Sequence, residues 1–357
     1  MSIVSFQFED RVNNWRLQHT RFDAFNLLVG HSGVGKTKIL QALQTVCRAG
    51  TQNAKVAPGG VWSLELAIDG HIYQWDASVS EERPLFEQES ITLDGNELVF
   101  RQPEQGIFRF NNISLPKLKD SESAITLLGS EDVILPLRKK INIFIKSGGI
   151  YEYRSDSGFV ENPVSFDELQ NFKNTPLILR AWILQEQYPD IFKNIQNQFI
   201  EIFTTVEKLE INIEPINMFN GLALVLKMQE QGIKKLISTN HLSSGMRHTL
   251  SYLFELALAP KGSVFLIDEI ENSLGVSCLP HIIDAMRERS NELQFILTSH
   301  HPYVINNIPY KNWKLVIRNG NEVKVRDATD IRALQTKSAH DQFILLINTP
   351  EYEECIS

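Results

Sequence analysis

Cysteine is scarce in this chain of 357 residues, with Cys47, Cys278 and Cys355 the whole complement. The three show no paired spacing, which argues against a disulfide framework or a zinc module and makes a reducing cytoplasm the expected compartment. Long hydrophobic runs are missing as well. No window approaches the about eighteen continuous apolar residues of a membrane helix. The start, "MSIVSFQFEDRV", lacks the basic-then-apolar pattern of a secretory leader, so no membrane association is expected. Positive charge is in deficit: 35 Lys plus Arg stand against 43 Asp plus Glu, a formal net charge of −8. The whole molecule therefore carries no nucleic-acid footprint, although a local basic groove stays open. The absence of internal repeats, low-complexity tracts and sustained heptads removes a long coiled coil.

What is present is an ordinary apolar fraction of 43%, enough for one large core with an inserted lobe or for two modest domains. Residues 3–8 ("IVSFQF") and 25–29 ("FNLLV") read as strands, and the second runs through glycines into "TKILQALQTVCRA". There Ile39, Leu40, Leu43 and Val46 recur at helical spacing. Residues 62–112 alternate short β-like runs with Asp-Gly turns and predict antiparallel hairpins. Residues 164–204 predict helices broken near Pro176 and Pro189. Two strands ("KLEINIE", "GLALVLKM") and a shorter "IKKLIS" follow. Then come two wholly apolar strands, "SVFLIDE" at 263–269 and "LQFILTSHH" at 293–301, with a helix between them, the pattern of a buried parallel sheet.

The chemistry starts at "GHSGVGKT". Gly30, four residues, then Gly35, Lys36 and Thr37 follow the phosphate-loop pattern G-x-x-x-x-G-K-[ST], after a strand and before a helix as that motif requires. Gly30, Ser32, Gly33, Val34, Gly35, Lys36, Thr37 and Lys38 are the expected cradle. Bare backbone there lets successive N–H groups and the positive helix end converge on phosphate. Lys36 would reach the β- and γ-phosphates, and Thr37 would give a hydroxyl to Mg²⁺. "VFLIDE" ends an apolar strand in two acids: Asp268 as an Mg²⁺ ligand and Glu269 as the general base on water. His300 follows the next strand, placed to hydrogen-bond a γ-phosphate, with His301 packing or solvated. Ser243, Ser244 and Gly245 form a donor-rich turn opening a helix, a second anion site. Two such sites in one chain make sense if the second serves the nucleotide of another subunit.

In this order, "GHSGVGKT", "LSSGMR", "VFLIDE", "ENSL" and "TSHHP" resemble the ATP-binding-cassette ATPases, and within them the SMC, RecF and OLD-like branch of ATPase heads rather than transporter subunits. Thr298, His300 and Pro302 fit that branch's T-x-H-x-P. The resemblance covers residues 1–60 and about 207–320. It implies an α/β P-loop NTPase, an ABC-ATPase head with a mixed sheet and an inserted helical lobe. The core would be 1–60 with 207–357, the hairpins continuing to about 112, and the mainly helical lobe 113–206. It also implies two ATP molecules sandwiched in a head-to-tail dimer, each between one copy's P-loop and the other's Ser243, Ser244 and Gly245, with Glu271 to Leu274 as the D-loop. Departures are His31 and Ser32 in place of Pro-Asn, Met246 at a polar signature position, and Gly275 where a histidine often follows. None removes a catalytic group. The Q-loop glutamine belongs somewhere in 112–150 and is not singled out.

The resulting expectation is an Mg²⁺-dependent ATPase working as a homodimer or higher homo-oligomer. It would operate a separate effector protein, a nuclease among the candidates, in DNA maintenance or antiphage defence. No acidic metal cluster follows residue 310, where OLD proteins carry a TOPRIM nuclease, so cutting would fall to that effector. DNA stays a candidate partner, but Lys117, Lys119 and Arg138 to Lys140 read as solvated surface. The alternatives are a nucleotide-gated scaffold without appreciable hydrolysis and a transporter-type ATPase subunit. The end, "HDQFILLINTPEYEECIS", either docks a partner or packs on the sheet.

Overall fold

The computed structural model describes residues 2–51, 56–116, 119–141, 144–145, 151, 153–155, 163–172, 175–216, 221–238, 241–272 and 274–331. The expectations for the C-terminal stretch from 340, for Cys355, for Lys117, for Ser273 of the D-loop and for parts of the Q-loop region lie outside them.

The first half of the chain, in order, holds β1 (Ser2–Asp10), β2 (Trp15–Arg21), β3 (Phe25–Val29), α1 (Lys36–Ala49), β4 (Gly60–Ile68), β5 (His71–Val79), β6 (Phe86–Leu93), β7 (Asn96–Gln102), β8 (Ile107–Phe110), β9 (Ile113–Ser114), α2 (Ala124–Leu127), α3 (Leu135–Lys140) and β10 (Phe144–Ile145). Next come β11 (Tyr153–Ser155), α4 (Phe166–Asn171), α5 (Leu177–Gln187), α6 (Pro189–Ile202), β12 (Val206–Pro215), β13 (Leu222–Glu230), β14 (Ile237–Ser238) and α7 (Ser244–Leu258). The remainder is β15 (Val264–Ile267), α8 (Leu279–Glu288), β16 (Gln294–Thr298), α9 (Pro302–Asn307), β17 (Trp313–Asn319) and β18 (Glu322–Asp327).

These elements form two compact units: Met1–Ile145, Lys261–Ile270 and Ser290–Ser357 in the first, Lys146–Pro260 and Glu271–Arg289 in the second. The first is built on a 14-stranded sheet in the order β10-β15-β16-β3-β17-β18-β2-β1-β4-β5-β6-β7-β8-β9. From β10 to β17 all neighbours are parallel, and the span from β1 to β9 is antiparallel, so the sheet is mixed as expected. The parallel strands are apolar because they are covered: β3 and β16 are buried at every position. α1 lays Ile39, Leu43 and Val46 into the core with Leu17, Leu28, Val316 and Val323. That contact fixes the direction in which its first turn points.

Two buried charge clusters brace this unit. Glu89, fully buried on β6, accepts from Trp75 Nε1 at 2.8 Å, Ser123 Oγ at 2.6 Å and the Ala124 amide at 2.9 Å, and pairs with Arg101 at 2.7 Å. Arg101 also donates to the Lys119 and Glu122 carbonyls and lies over the Phe86 ring. Every lone pair of the carboxylate is used, the condition under which such a burial is tolerated. Lys314 of β17, 2% exposed, bridges Asp23 at 2.7 Å and Asp327 at 2.5 Å.

The second unit pairs β12 with β13, flanked by β11 and β14 on β13, and sets α5 and α6 against that hairpin. The lobe drawn at 113–206 from the sequence differs from this observed unit. Because α5 and α6 pack on β12 and β13, those strands and α7 group with the helices and not with the large sheet. Of "IKKLIS" only Ile237–Ser238 forms a strand. Ser165 begins α4 with a reciprocal capping box through Glu168. Within the unit α5 and α7 share a buried ion pair, Arg180–Glu255 at 3.5 Å.

Candidate nucleotide site

β3 ends at Val29, and the next residue must pass β17 at close quarters. Gly30 has φ +151°, and a Cβ there would lie 2.6 Å from the Val316 carbonyl oxygen and 3.2 Å from Val34 Cγ2. Only glycine fits that approach. The loop closes at Gly35, whose φ of +107° starts α1 without any side-chain cap. The first turn of α1 holds no acid and instead carries Lys36, Thr37 and Lys38. Exposed amides and cations at the positive end of a helix are the reverse of what the dipole favours unless an anion is to be held there.

Lys36 is 4% exposed, and its Nζ donates to the carbonyls of Gly30 at 2.6 Å and His31 at 2.8 Å. The ammonium thus folds back across the loop it belongs to. Arg318 of β17 braces the same loop by donating to the Gly33 carbonyl at 3.2 Å. Phe8 and Trp15 are both buried and pack together with ring centroids 6.0 Å apart. Trp15 lies under the Lys38 Nζ at 5.5 Å. Core packing is therefore their observed role.

The strand order puts β16 between β3 and β15, so the P-loop and the two acids face each other across one strand. Thr37 Oγ1 donates to Asp268 Oδ1 at 3.0 Å, and Thr298 Oγ1 donates to the same oxygen at 2.6 Å. Asp268 and Glu269 are exposed just past the end of β15. Glu269 has φ +48°, an uncommon conformation for a residue with a side chain. Its amide donates to Thr298 Oγ1 at 2.7 Å.

His300 is exposed beyond the end of β16. The neighbouring His301 instead begins α9, its Nδ1 accepting from the Tyr303 amide at 3.2 Å and its own amide donating to Ser299 Oγ at 3.0 Å. In the second unit, Ser243 caps α7 by accepting from the Met246 amide at 3.2 Å, with Ser243 and Ser244 exposed and Gly245 half-buried. No acid stands in that first turn either.

The structure thus brings together Lys36, Thr37, Asp268 and Glu269, while the Ser243–Gly245 turn belongs to the second unit. Two residues around the site were given no role from the sequence. Thr298 had only its motif position to mark it. Arg318 had no local signal, because its place depends on β17 pairing with β3. Among the described residues no cluster of three or more His, Cys, Asp or Glu gathers as a metal centre. A Thr hydroxyl beside one Asp is a hard-oxygen donor set, which suits Mg²⁺ when phosphates complete the shell. No helix among the described residues is long and apolar enough to cross a membrane.

A family model described as an AAA domain, with reference to the AbiEii toxin and type IV toxin–antitoxin systems, matches residues 183–306. The chromosome partition protein Smc of Methanocaldococcus jannaschii is 25% identical over 126 residues, which are 34% of this chain and 10% of that protein. The match thus spans about a tenth of that relative's length. A solved SMC head bound to the C-winged helix domain of ScpA is 15% identical, with a TM-score of 0.54 over 91% of this chain and 97% of its own. The SMC head domain of Thermotoga maritima is 12% identical, with a TM-score of 0.46 over 92% and 99% of the two chains. A glycine-walled loop thus faces two acids across one strand, in a chain whose fold is that of the solved SMC head.

Proposed function

We propose that this chain binds ATP with Mg²⁺ at the head of α1, hydrolyses it, and pairs head to tail with a second copy while nucleotide is bound. That pairing would control a separate effector protein in DNA maintenance or antiphage defence. The observation that carries the reading is Thr37 meeting Asp268 at 3.0 Å at the mouth of the Lys36 loop. These two oxygens would hold Mg²⁺, which when bound offsets phosphate charge as the terminal bond breaks. Lys36 exchanges its loop carbonyls for β- and γ-phosphate oxygens. Gly33 to Lys38 supply backbone N–H donors. Glu269 accepts the proton of the attacking water, and His300 donates to the γ-phosphate.

The turn at Ser243, Ser244 and Gly245 supplies the opposing half of the sandwich. Ser243 already accepts one bond as the α7 cap, and its hydroxyl still has a proton to give. Likeness to an SMC head solved with a winged-helix domain of ScpA supports a protein partner for this chain as well.

The test is phosphate release with and without Mg²⁺, wild type against Glu269→Gln, alongside mass by light scattering with ATP. The expectation is Mg²⁺-dependent turnover in the wild type and an ATP-stabilised dimer in Glu269→Gln. Equal inertness of both proteins in hydrolysis would replace the enzyme with a nucleotide-gated scaffold. Monomers at saturating ATP would remove the sandwich. Mixing Lys36→Ala with Ser243→Arg should restore activity, because one composite site in the mixed dimer is intact.

A further inference from the structure

Thr298 closes β16, the strand lying between the P-loop strand and the acid-bearing strand. It is 1% exposed. Its hydroxyl is used in both directions: the proton goes to Asp268 Oδ1 at 2.6 Å, and a lone pair takes the Glu269 amide at 2.7 Å. Its carbonyl takes the Ile270 amide at 3.1 Å. One residue therefore grips three consecutive positions, 268, 269 and 270. Asp268 Oδ1 is held from its other side by Thr37 at 3.0 Å. Glu269 stands at φ +48°, which non-glycine residues keep only where surrounding bonds impose it. The Thr298 hydroxyl is one of those bonds, and the β-branch limits the rotamers from which it can act.

We propose that Thr298 is a positioning residue for the hydrolytic step. It sets the Asp268 carboxylate against Thr37 and fixes the backbone from which Glu269 works. This rests on the ATPase reading above, but it concerns a hydroxyl that touches neither phosphate nor water in that scheme. An outer partner of a metal ligand is worth about 10- to 100-fold in affinity or activity when removed.

The experiment compares Thr298→Val, which keeps the shape and loses the hydroxyl, with Thr298→Ser, which restores it. In Thr298→Val the expected results are a kcat at least tenfold lower and a KM for ATP within about threefold of wild type. The Mg²⁺ concentration that half-saturates binding of a fluorescent ATP analogue should rise about tenfold. Hydrogen exchange at the Glu269 amide should quicken by a similar factor in the nucleotide-free protein. Thr298→Ser should return all of these to near wild type.

Unchanged exchange and Mg²⁺ dependence in Thr298→Val would overturn the proposal. So would a Thr298→Ser variant as impaired as Thr298→Val, since packing alone would then explain the loss. If the wild type does not hydrolyse ATP, the ATPase reading falls by itself, and the exchange and Mg²⁺ titrations still decide the role of Thr298.

Discussion

Replacing Lys36 with alanine separates what the lysine does for its own loop from what it does for nucleotide. In the structure its Nζ makes two short bonds to the Gly30 and His31 carbonyls, at 2.6 and 2.8 Å, from a 4% exposed position. Hydrogen bonds from a charged donor contribute about 1.5–3 kcal/mol each, less than additively. Phosphate oxygens take over the same ammonium with full negative charge, so nucleotide gains only the difference, about 2–3 kcal/mol. That corresponds to a Kd roughly 30- to 150-fold weaker. The coupling shows in unfolding as well. At ATP one hundred times its wild-type Kd, the native state gains about 2.7 kcal/mol, and a hundredfold weaker variant gains about 0.4 kcal/mol. Titration with a fluorescent ATP analogue and thermal unfolding with and without Mg²⁺ and ATP read the two quantities. A Kd within about threefold of wild type would refute the assignment of this loop to phosphate.

Further outcomes follow from the geometry. Gly30→Ala drives a methyl to 2.6 Å from the Val316 carbonyl, and should cost about 2–4 kcal/mol and abolish nucleotide binding. Gly33→Ala meets nothing within 4 Å, should cost only about 1–2 kcal/mol for its φ of +84°, and serves as the comparison in urea unfolding. Glu89→Gln leaves Arg101 without its counter-charge and should destabilise the first unit by about 3–5 kcal/mol, seen as a lower urea midpoint. Glu255→Leu should cost the second unit a similar about 3–5 kcal/mol, most of it recovered by adding Arg180→Met. Burial pushes the Glu255 carboxyl above the usual carboxylate range, with Arg180 pulling the other way. The protonation-linked part of its stability is therefore complete below the unfolded value of about 4.3 and lost as pH rises through the folded one. Urea midpoints against pH should flatten in the double variant.

Contiguous chemistry was legible in the sequence, and chemistry assembled across strands was not. "FNLLV" and "LILRAWILQEQ" form β3 and α5 residue for residue, because burial imposes a local pattern: an unbroken apolar run in the covered strand and a helical period in α5. β2, β17 and β18 went unread, and β6 fell within the predicted hairpins of 62–112 without being picked out as a strand. β6 carries Glu89 and β17 carries Lys314, both buried charges made tolerable by Arg101, or by Asp23 and Asp327, which lie elsewhere in the chain. No window around either residue contains the partner that permits it. The same reason hid the grouping of β12 and β13, since packing against α5 and α6 decides it. The P-loop and the acid pair each occupy one contiguous stretch, so their residue types stand together in a single window. The hydroxyl of Thr298 is instead needed by protein groups 29 and 30 residues away in sequence, whose approach only the strand order reveals.

A sheet this wide has two ends, and among the described residues each is a strand of two residues, Phe144–Ile145 on one side and Ile113–Ser114 on the other. Long bare margins recruit neighbours indiscriminately, whereas stubs this short offer little for a foreign backbone to zip onto. A second copy therefore finds little at either margin from which to extend the β-layer.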